Sequence, residues 1–270
     1  MSVNINKSKS YQFHYDLTGN KNYPLILLLH GFTCDSQDFN SVISLLSQSY
    51  CCLAVDLPGH GKTRVSGDES CYNIFNTAKA LIYLLDDLQI DKCLLLGYSM
   101  GGRLALYMTL YFPDRFDKVV LESASPGLKT EKERSHRIQS DLHLAQKLEN
   151  SNLKDFLYNW YDRPLFQSLK KSPNFDRLIE ARLANNPIEL AKSLRNMGTG
   201  NQPSLWAQLA QNQIPLLLLV GEYDDKFTTI NTKIANLCPA ASLKIVPKSG
   251  HNIHFENTDE FVAVVRQFYD

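Results

Sequence analysis

The sequence predicts an α/β architecture: one mostly parallel central sheet with flanking helices, and a helical segment inserted late in the chain. Three observations predict it. Short aliphatic runs such as "LILLL" (25–29) and "PLLLLV" (215–220) alternate with longer stretches of helical period, the pattern of repeated β-α-β units. These runs lack polar alternation, as strands buried on both faces do, and they are far too short to span a bilayer. The alternation then breaks between about Ser125 and Leu205, where the chain turns helical, charged and aromatic with no convincing strand.

Taken in order, the apolar runs place strands at Tyr11–Tyr15, Leu25–His30, Cys51–Asp56, Lys92–Gly97 and Lys118–Glu122. Two more follow the break, at Leu216–Gly221 and Ser242–Val246. Apolar residues at helical spacing place helices at Asp38–Ser47, Ile74–Leu88, Met100–Tyr111, Thr228–Leu237 and Thr258–Phe268. The expected organisation is a core of residues 1–124 and 206–270 carrying a helical cap of residues 125–205.

Bulk composition narrows the function classes. At 270 residues the chain can bury a sizeable core, and 44% hydrophobic with 21% charged residues is ordinary for a soluble globular protein. The formal net charge is zero, so nothing global points to nucleic acid or an acidic membrane. The charge is uneven, however: residues 125–205 hold 13 Lys and Arg against 9 Asp and Glu. That excess is either chance unevenness on solvated helices or a cap suited to an anionic ligand. The opening "MSVNINKSKSYQF" has no apolar segment resembling a signal peptide. Six cysteines (34, 51, 52, 71, 93, 238) form no CxxC pair and no metal-like grouping with histidine. They read as reduced thiols of a cytoplasmic protein, and no metal or dissociable cofactor is implied.

The chemistry is concentrated in "GYSMGG" (97–102). It fits G-x-S-x-G with Gly97, Ser99 and Gly101, between an expected strand and an expected helix. In that context a tight turn holds the serine in a strained conformation that tolerates only small neighbours, and its oxygen stands at the carboxyl edge of the sheet. "LLLHGFTCD" (27–35) ends a strand where the N–H of Phe32, together with that of Met100, would form an oxyanion hole. "LLVGEYDDKF" (218–227) ends a late strand in acids, and "VPKSGHNIHFEN" (246–257) puts His251 after the last strand. Asp224 fits the turn after that strand better than its neighbour Asp225. His251 fits better than His254, which falls on the start of a helix. His30 and His60 sit in glycine turns and read as structural. The order Ser99, Asp224, His251 is that of a serine–histidine–acid triad.

Together "HGF", "VDLPGHGKT" (55–63), "GYSMGGR", "GEYDDKF" and "SGHN" resemble the α/β-hydrolase superfamily across nearly the whole chain, which implies the α/β-hydrolase fold. More narrowly, the chain is similar to the family of 2-succinyl-6-hydroxy-2,4-cyclohexadiene-1-carboxylate synthases of menaquinone and phylloquinone biosynthesis. That likeness rests on Arg103 directly after the serine turn, and on "RIQSDLHLAQKL", "NWYDRPLFQSL" and "EARLANN" in the cap. The resemblance implies a lyase that eliminates pyruvate from an enolpyruvyl-bearing cyclohexene carboxylate, with Ser99 as base toward carbon. It also implies that Arg103, Arg137 and Arg182 bind substrate carboxylates, while Tyr98, Trp160 and Tyr161 pack against the substrate. Cap core is the other use for Trp160 and Tyr161. The rival readings are a serine carboxylester or carbon–carbon bond hydrolase of the same fold, and a non-catalytic small-ligand binding protein.

Overall fold

Ile26, Leu27, Leu28 and Leu29 have no exposed surface, because their strand is covered on both faces. The computed structural model describes residues 10–270; the N-terminal stretch read as lacking a leader lies mostly outside them. Among the described residues nine strands form: β1 (Tyr11–Gln12), β2 (Tyr15–Thr18), β3 (Leu25–Leu29), β4 (Cys51–Val55), β5 (Arg64–Val65), β6 (Cys93–Tyr98), β7 (Phe116–Glu122), β8 (Leu216–Gly221) and β9 (Ala241–Val246). Seven make one sheet in the order β2-β4-β3-β6-β7-β8-β9. All neighbours are parallel except β2, which runs antiparallel to β4 at the edge. Alternate residues feed opposite cores: Leu27, Leu29, Leu53 and Leu95 one side, Ile26, Leu28, Cys52 and Leu96 the other.

The expected strand Tyr11–Tyr15 is two strands. Residue 14 turns away from the ladder, its N–H donating to Thr63 Oγ1 while its carbonyl accepts from Asp56. That switch sends β1 to pair with the short β5, which the sequence did not signal, and β2 to β4.

The core helices are α1 (Asn40–Leu46), α2 (Ile74–Asp87) and α3 (Met100–Tyr111), then α8 (Asp225–Leu237), α9 (Ile253–Glu256) and α10 (Thr258–Tyr269). Helix α8 begins three residues before the expected Thr228, because Asp224 caps it by accepting the Phe227 N–H. Between β7 and β8 lie α4 (Glu131–Asn150), α5 (Leu153–Tyr161), α6 (Phe175–Arg182) and α7 (Pro187–Met197), without a strand. Thr130 and Glu133 start α4 with a reciprocal capping box. This segment has its own apolar clusters, one around Leu157, Phe166 and Ile179 and one around Leu148, Phe156 and Leu190. No described helix is long and apolar enough to cross a membrane.

The chain runs from β3 outward to β4 and then crosses back to build β6 on the other side of β3. The carboxyl ends of β3 and β6 therefore flank the point where strand order reverses, where open α/β sheets bind ligands.

Candidate active site

Strand β6 ends at Tyr98 and α3 begins at Met100, so a single residue makes the turn. Ser99 takes φ 49° and ψ −104°, a conformation that costs an L-residue energy and persists only where its surroundings enforce it. The surroundings do enforce it. A Cβ on Gly101 would stand 2.1 Å from the Leu29 carbonyl oxygen, and one on Gly97 would stand 2.5 Å from the Gly101 carbonyl oxygen. Only glycine lets β3, the turn and α3 approach this closely. The Ser99 N–H is held by the Glu122 carbonyl at 2.8 Å.

His251 Nε2 lies 3.0 Å from Ser99 Oγ, and His251 Nδ1 lies 2.7 Å from Asp224 Oδ2. The other Asp224 oxygen accepts the Phe227 N–H at 3.1 Å, so the cap of α8 also aims the carboxylate. With Nδ1–H donated to that carboxylate, Nε2 is left as the acceptor facing the serine hydroxyl. Phe227 packs on the imidazole at a centroid distance of 4.6 Å and Phe166 at 5.6 Å. Asp225 is exposed and takes no part.

Met100 is the first residue of α3, where a helix leaves its N–H without an intrahelical acceptor. Phe32, on the loop after β3, lines the same cavity as Met100, its ring against Trp160 at 5.0 Å. That loop is fixed from below: His30 Nδ1 donates to the Gly31 carbonyl at 2.7 Å and Nε2 accepts the Leu57 N–H at 2.9 Å. Burial holds His30 and His60 below the ordinary histidine value, in keeping with neutral, structural rings.

Above Ser99 and His251 opens a cavity of about 640 Å³, roofed by the inserted helices. Among the described residues, six cations line it, Arg103, Lys129, Arg137, Arg163, Lys226 and Lys233, against a single carboxylate, Glu133. Arg103 stands one turn beyond Ser99, its guanidinium on Gln202 Oε1 and the Met197 carbonyl, both at 2.9 Å. Burial, and then the charge of Arg137, pull it down to about 10. Arg137 Nε donates to Asp141 Oδ1 at 2.8 Å. Trp160 also lines the cavity, and among the described residues its indole N–H has no acceptor; the hydroxyls of Ser123 and Ser193 likewise have no partner there.

Three expected substrate contacts fall outside the cavity wall. Arg182 is 3% exposed and its guanidinium is bound by the Asp38 carboxylate. Burial alone would lower Arg182, but Asp38 more than reverses this and holds it well above its ordinary value. Tyr161 belongs to the cap core, its hydroxyl bonded to Thr33 Oγ1 at 2.9 Å. Tyr98 is buried beneath the site, with its ring between His251 at 5.6 Å and His254 at 4.8 Å. For Arg182 and Tyr161 a buried partner takes up the group that would face a ligand, and for Tyr98 the ring is packed between two histidines.

His254 has a different use from His251. Its Nδ1 donates to Glu122 Oε2 at 2.7 Å and its Nε2 to Asp38 Oδ2 at 3.2 Å. Burial alone would lower it; Glu122 and Asp38 instead push it up to about 9. Burial would raise Asp38, but Arg182 and His254 together hold it well below the carboxylate range. Two cations and two carboxylates thus neutralise each other beneath the site. Sequence motifs missed this cluster, and they missed Arg163 and Lys226.

Residues 24–258 match the family profile of the alpha/beta hydrolase fold. A Bacillus subtilis protein described as a putative 2-succinyl-6-hydroxy-2,4-cyclohexadiene-1-carboxylate synthase is 37% identical, over 99% of this chain and 98% of its own length. The synthase of that name from Enterobacter is 32% identical over 92% of this chain and 93% of its own. Among solved structures, that of MenH from S. aureus superposes with a TM-score of 0.89 at 36% identity, covering 96% of this chain and 97% of the other.

Proposed function

Because the chain belongs to the 2-succinyl-6-hydroxy-2,4-cyclohexadiene-1-carboxylate synthase family of α/β hydrolases, we propose that Ser99, His251 and Asp224 perform that family's elimination as one unit. The enzyme is a lyase of menaquinone and phylloquinone biosynthesis. It removes pyruvate from 2-succinyl-5-enolpyruvyl-6-hydroxy-3-cyclohexene-1-carboxylate.

Substrate and product differ by the proton on ring carbon C2 and the C5–oxygen bond. His251 Nε2 takes the Ser99 proton, and the serine oxygen removes the proton from C2, which the neighbouring succinyl ketone acidifies. The negative charge grows on that ketone oxygen, and the N–H groups of Phe32 and Met100 receive it. The C2–H electron pair then forms C2=C3, the C3=C4 pair moves to C4=C5, and the C5–oxygen pair leaves with the enolpyruvyl group, which gains a proton as pyruvate. Asp224 keeps the imidazole in one tautomer and steadies the imidazolium.

The observation that carries this reading is the hydrogen-bonded line from Asp224 through His251 to Ser99 at the floor of a strongly cationic cavity. Residues 125–205 act as the cap over the core of 1–124 and 206–270, and the ligand is a small anion bearing several carboxylates. Arg103 and Arg137 bind carboxylates, and Trp160 packs against the substrate. The six cysteines are unpaired, which supports a cytoplasmic location. Pyruvate release from the named substrate is the direct test.

A further inference from the structure

Arg163 and Lys226 line the same cavity as Ser99 and His251 but arrive from different elements, Arg163 just after α5 and Lys226 in the first turn of α8. Arg103 and Arg137 are already tied to protein acceptors. Among the described residues, by contrast, the Arg163 and Lys226 side chains make no hydrogen bond or ion pair and lie against aromatic rings. The Arg163 guanidinium lies 4.0 Å over the Trp160 ring, and Lys226 Nζ lies 5.6 Å from the Phe227 ring. Those two rings are the ones that flank the chemistry, Trp160 against Phe32 of the oxyanion loop and Phe227 against the His251 imidazole. Burial first, and Arg137 second, lower both cations. Like charges crowd this wall, and an anion would relieve them.

The substrate supplies such an anion at a defined place. C5, which carries the enolpyruvyl group, stands across the six-membered ring from C2. With C2 at Ser99, the leaving group points away from the serine turn. We propose that Arg163 and Lys226 form a clamp for the enolpyruvyl carboxylate that holds this group as it departs as pyruvate. The inference rests on the elimination described above.

Product inhibition by pyruvate, with succinate as the comparison ligand, tests it in Arg163→Gln and Lys226→Met. Melting temperature serves as the check on folding, since both side chains are partly solvated. Each variant is expected to weaken pyruvate inhibition about tenfold or more, the scale of one charge-assisted hydrogen bond, while succinate inhibition stays within about twofold. Arg163→Lys and Lys226→Arg should restore part of the loss. Unchanged pyruvate inhibition in both variants overturns the clamp. An equal loss for pyruvate and succinate does so too, since it marks only the general field of the cavity. If the parent enzyme releases no pyruvate from the substrate, the elimination reading falls on its own. Saturation-transfer NMR of pyruvate with parent and variant proteins then decides the clamp independently: an undiminished signal in the variants refutes it, a lost one supports it.

Discussion

The Ser99 N–H is bonded to the Glu122 carbonyl at 2.8 Å, and the side chain of that same Glu122 binds both the backbone N–H and the ring Nδ1 of His254. The strained serine turn is therefore tied through one residue to the buried cluster of Glu122, His254, Asp38 and Arg182. Arg182 comes from α6 of the inserted segment and Asp38 from the turn before α1, so the cluster also joins that segment to the sheet.

This tie predicts a pH-dependent stability. His254 sits at about 9 when folded, against 6.5 for an ordinary histidine. A raised value in the folded state stabilises fully below pH 6.5 and fades as pH rises through about 9. The contribution is on the order of 3 kcal/mol. Urea unfolding between pH 6 and pH 10 should show that decline in the parent protein and a flatter profile in His254→Ala.

Arg182→Ala should act on stability before kinetics. Removing it leaves Asp38 buried without its strongest partner, a loss of about 3–5 kcal/mol. A melting temperature close to the parent, together with a KM raised tenfold, would mean that Arg182 faces the substrate after all.

Arg103→Ala and Arg137→Ala should act on kinetics. One charged hydrogen bond to a carboxylate is worth roughly 1.5–3 kcal/mol, so kcat/KM should fall about ten- to a hundredfold, and Arg137→Ala should also lower the melting temperature because it strips the buried Asp141 of its ion-pair partner. Lysine at either position should rescue only partly, because it lacks the bidentate fork. Values within twofold of the parent for both would remove the anionic-substrate reading.

Salt should separate capture from chemistry. The cavity wall carries six cations and one carboxylate, and ions screen long-range attraction over about 10 Å at 0.1 M. Steady-state kinetics from low to moderate salt should show kcat/KM falling while kcat holds.

Much of this was legible in the sequence because it is local. The run Leu25–Leu29 announces a doubly buried strand. Gly97, Ser99 and Gly101 announce a turn where a side chain would collide with the Leu29 carbonyl. Asp224 was separable from Asp225 because the acid four positions after the strand's last valine suits the turn, where it also caps α8. What escaped is long-range. Asp38, Glu122, Arg182 and His254 lie far apart in the chain, and no periodicity links them. An arginine that faces a ligand is written with the same letter as one buried on Asp38, so the sequence alone did not show the Arg182–Asp38 ion pair. Arg163 and Lys226 became visible only once the fold gathered them on one wall.

The division between elimination and acyl transfer can be read from the enzyme itself. If Ser99 acts as a base, rapid-quench mass spectrometry during natural turnover should detect no adduct on the chain. A trapped acyl-Ser99 species would move the enzyme to the carboxylester or carbon–carbon hydrolase reading.

The most direct measurement is pyruvate release from 2-succinyl-5-enolpyruvyl-6-hydroxy-3-cyclohexene-1-carboxylate by the parent enzyme and by Ser99→Ala, each with its melting temperature. The triad account predicts turnover by the parent and a loss in kcat on the order of 10³-fold or more in the variant, with stability unchanged. A folded Ser99→Ala protein that releases pyruvate at close to the parent rate would contradict it.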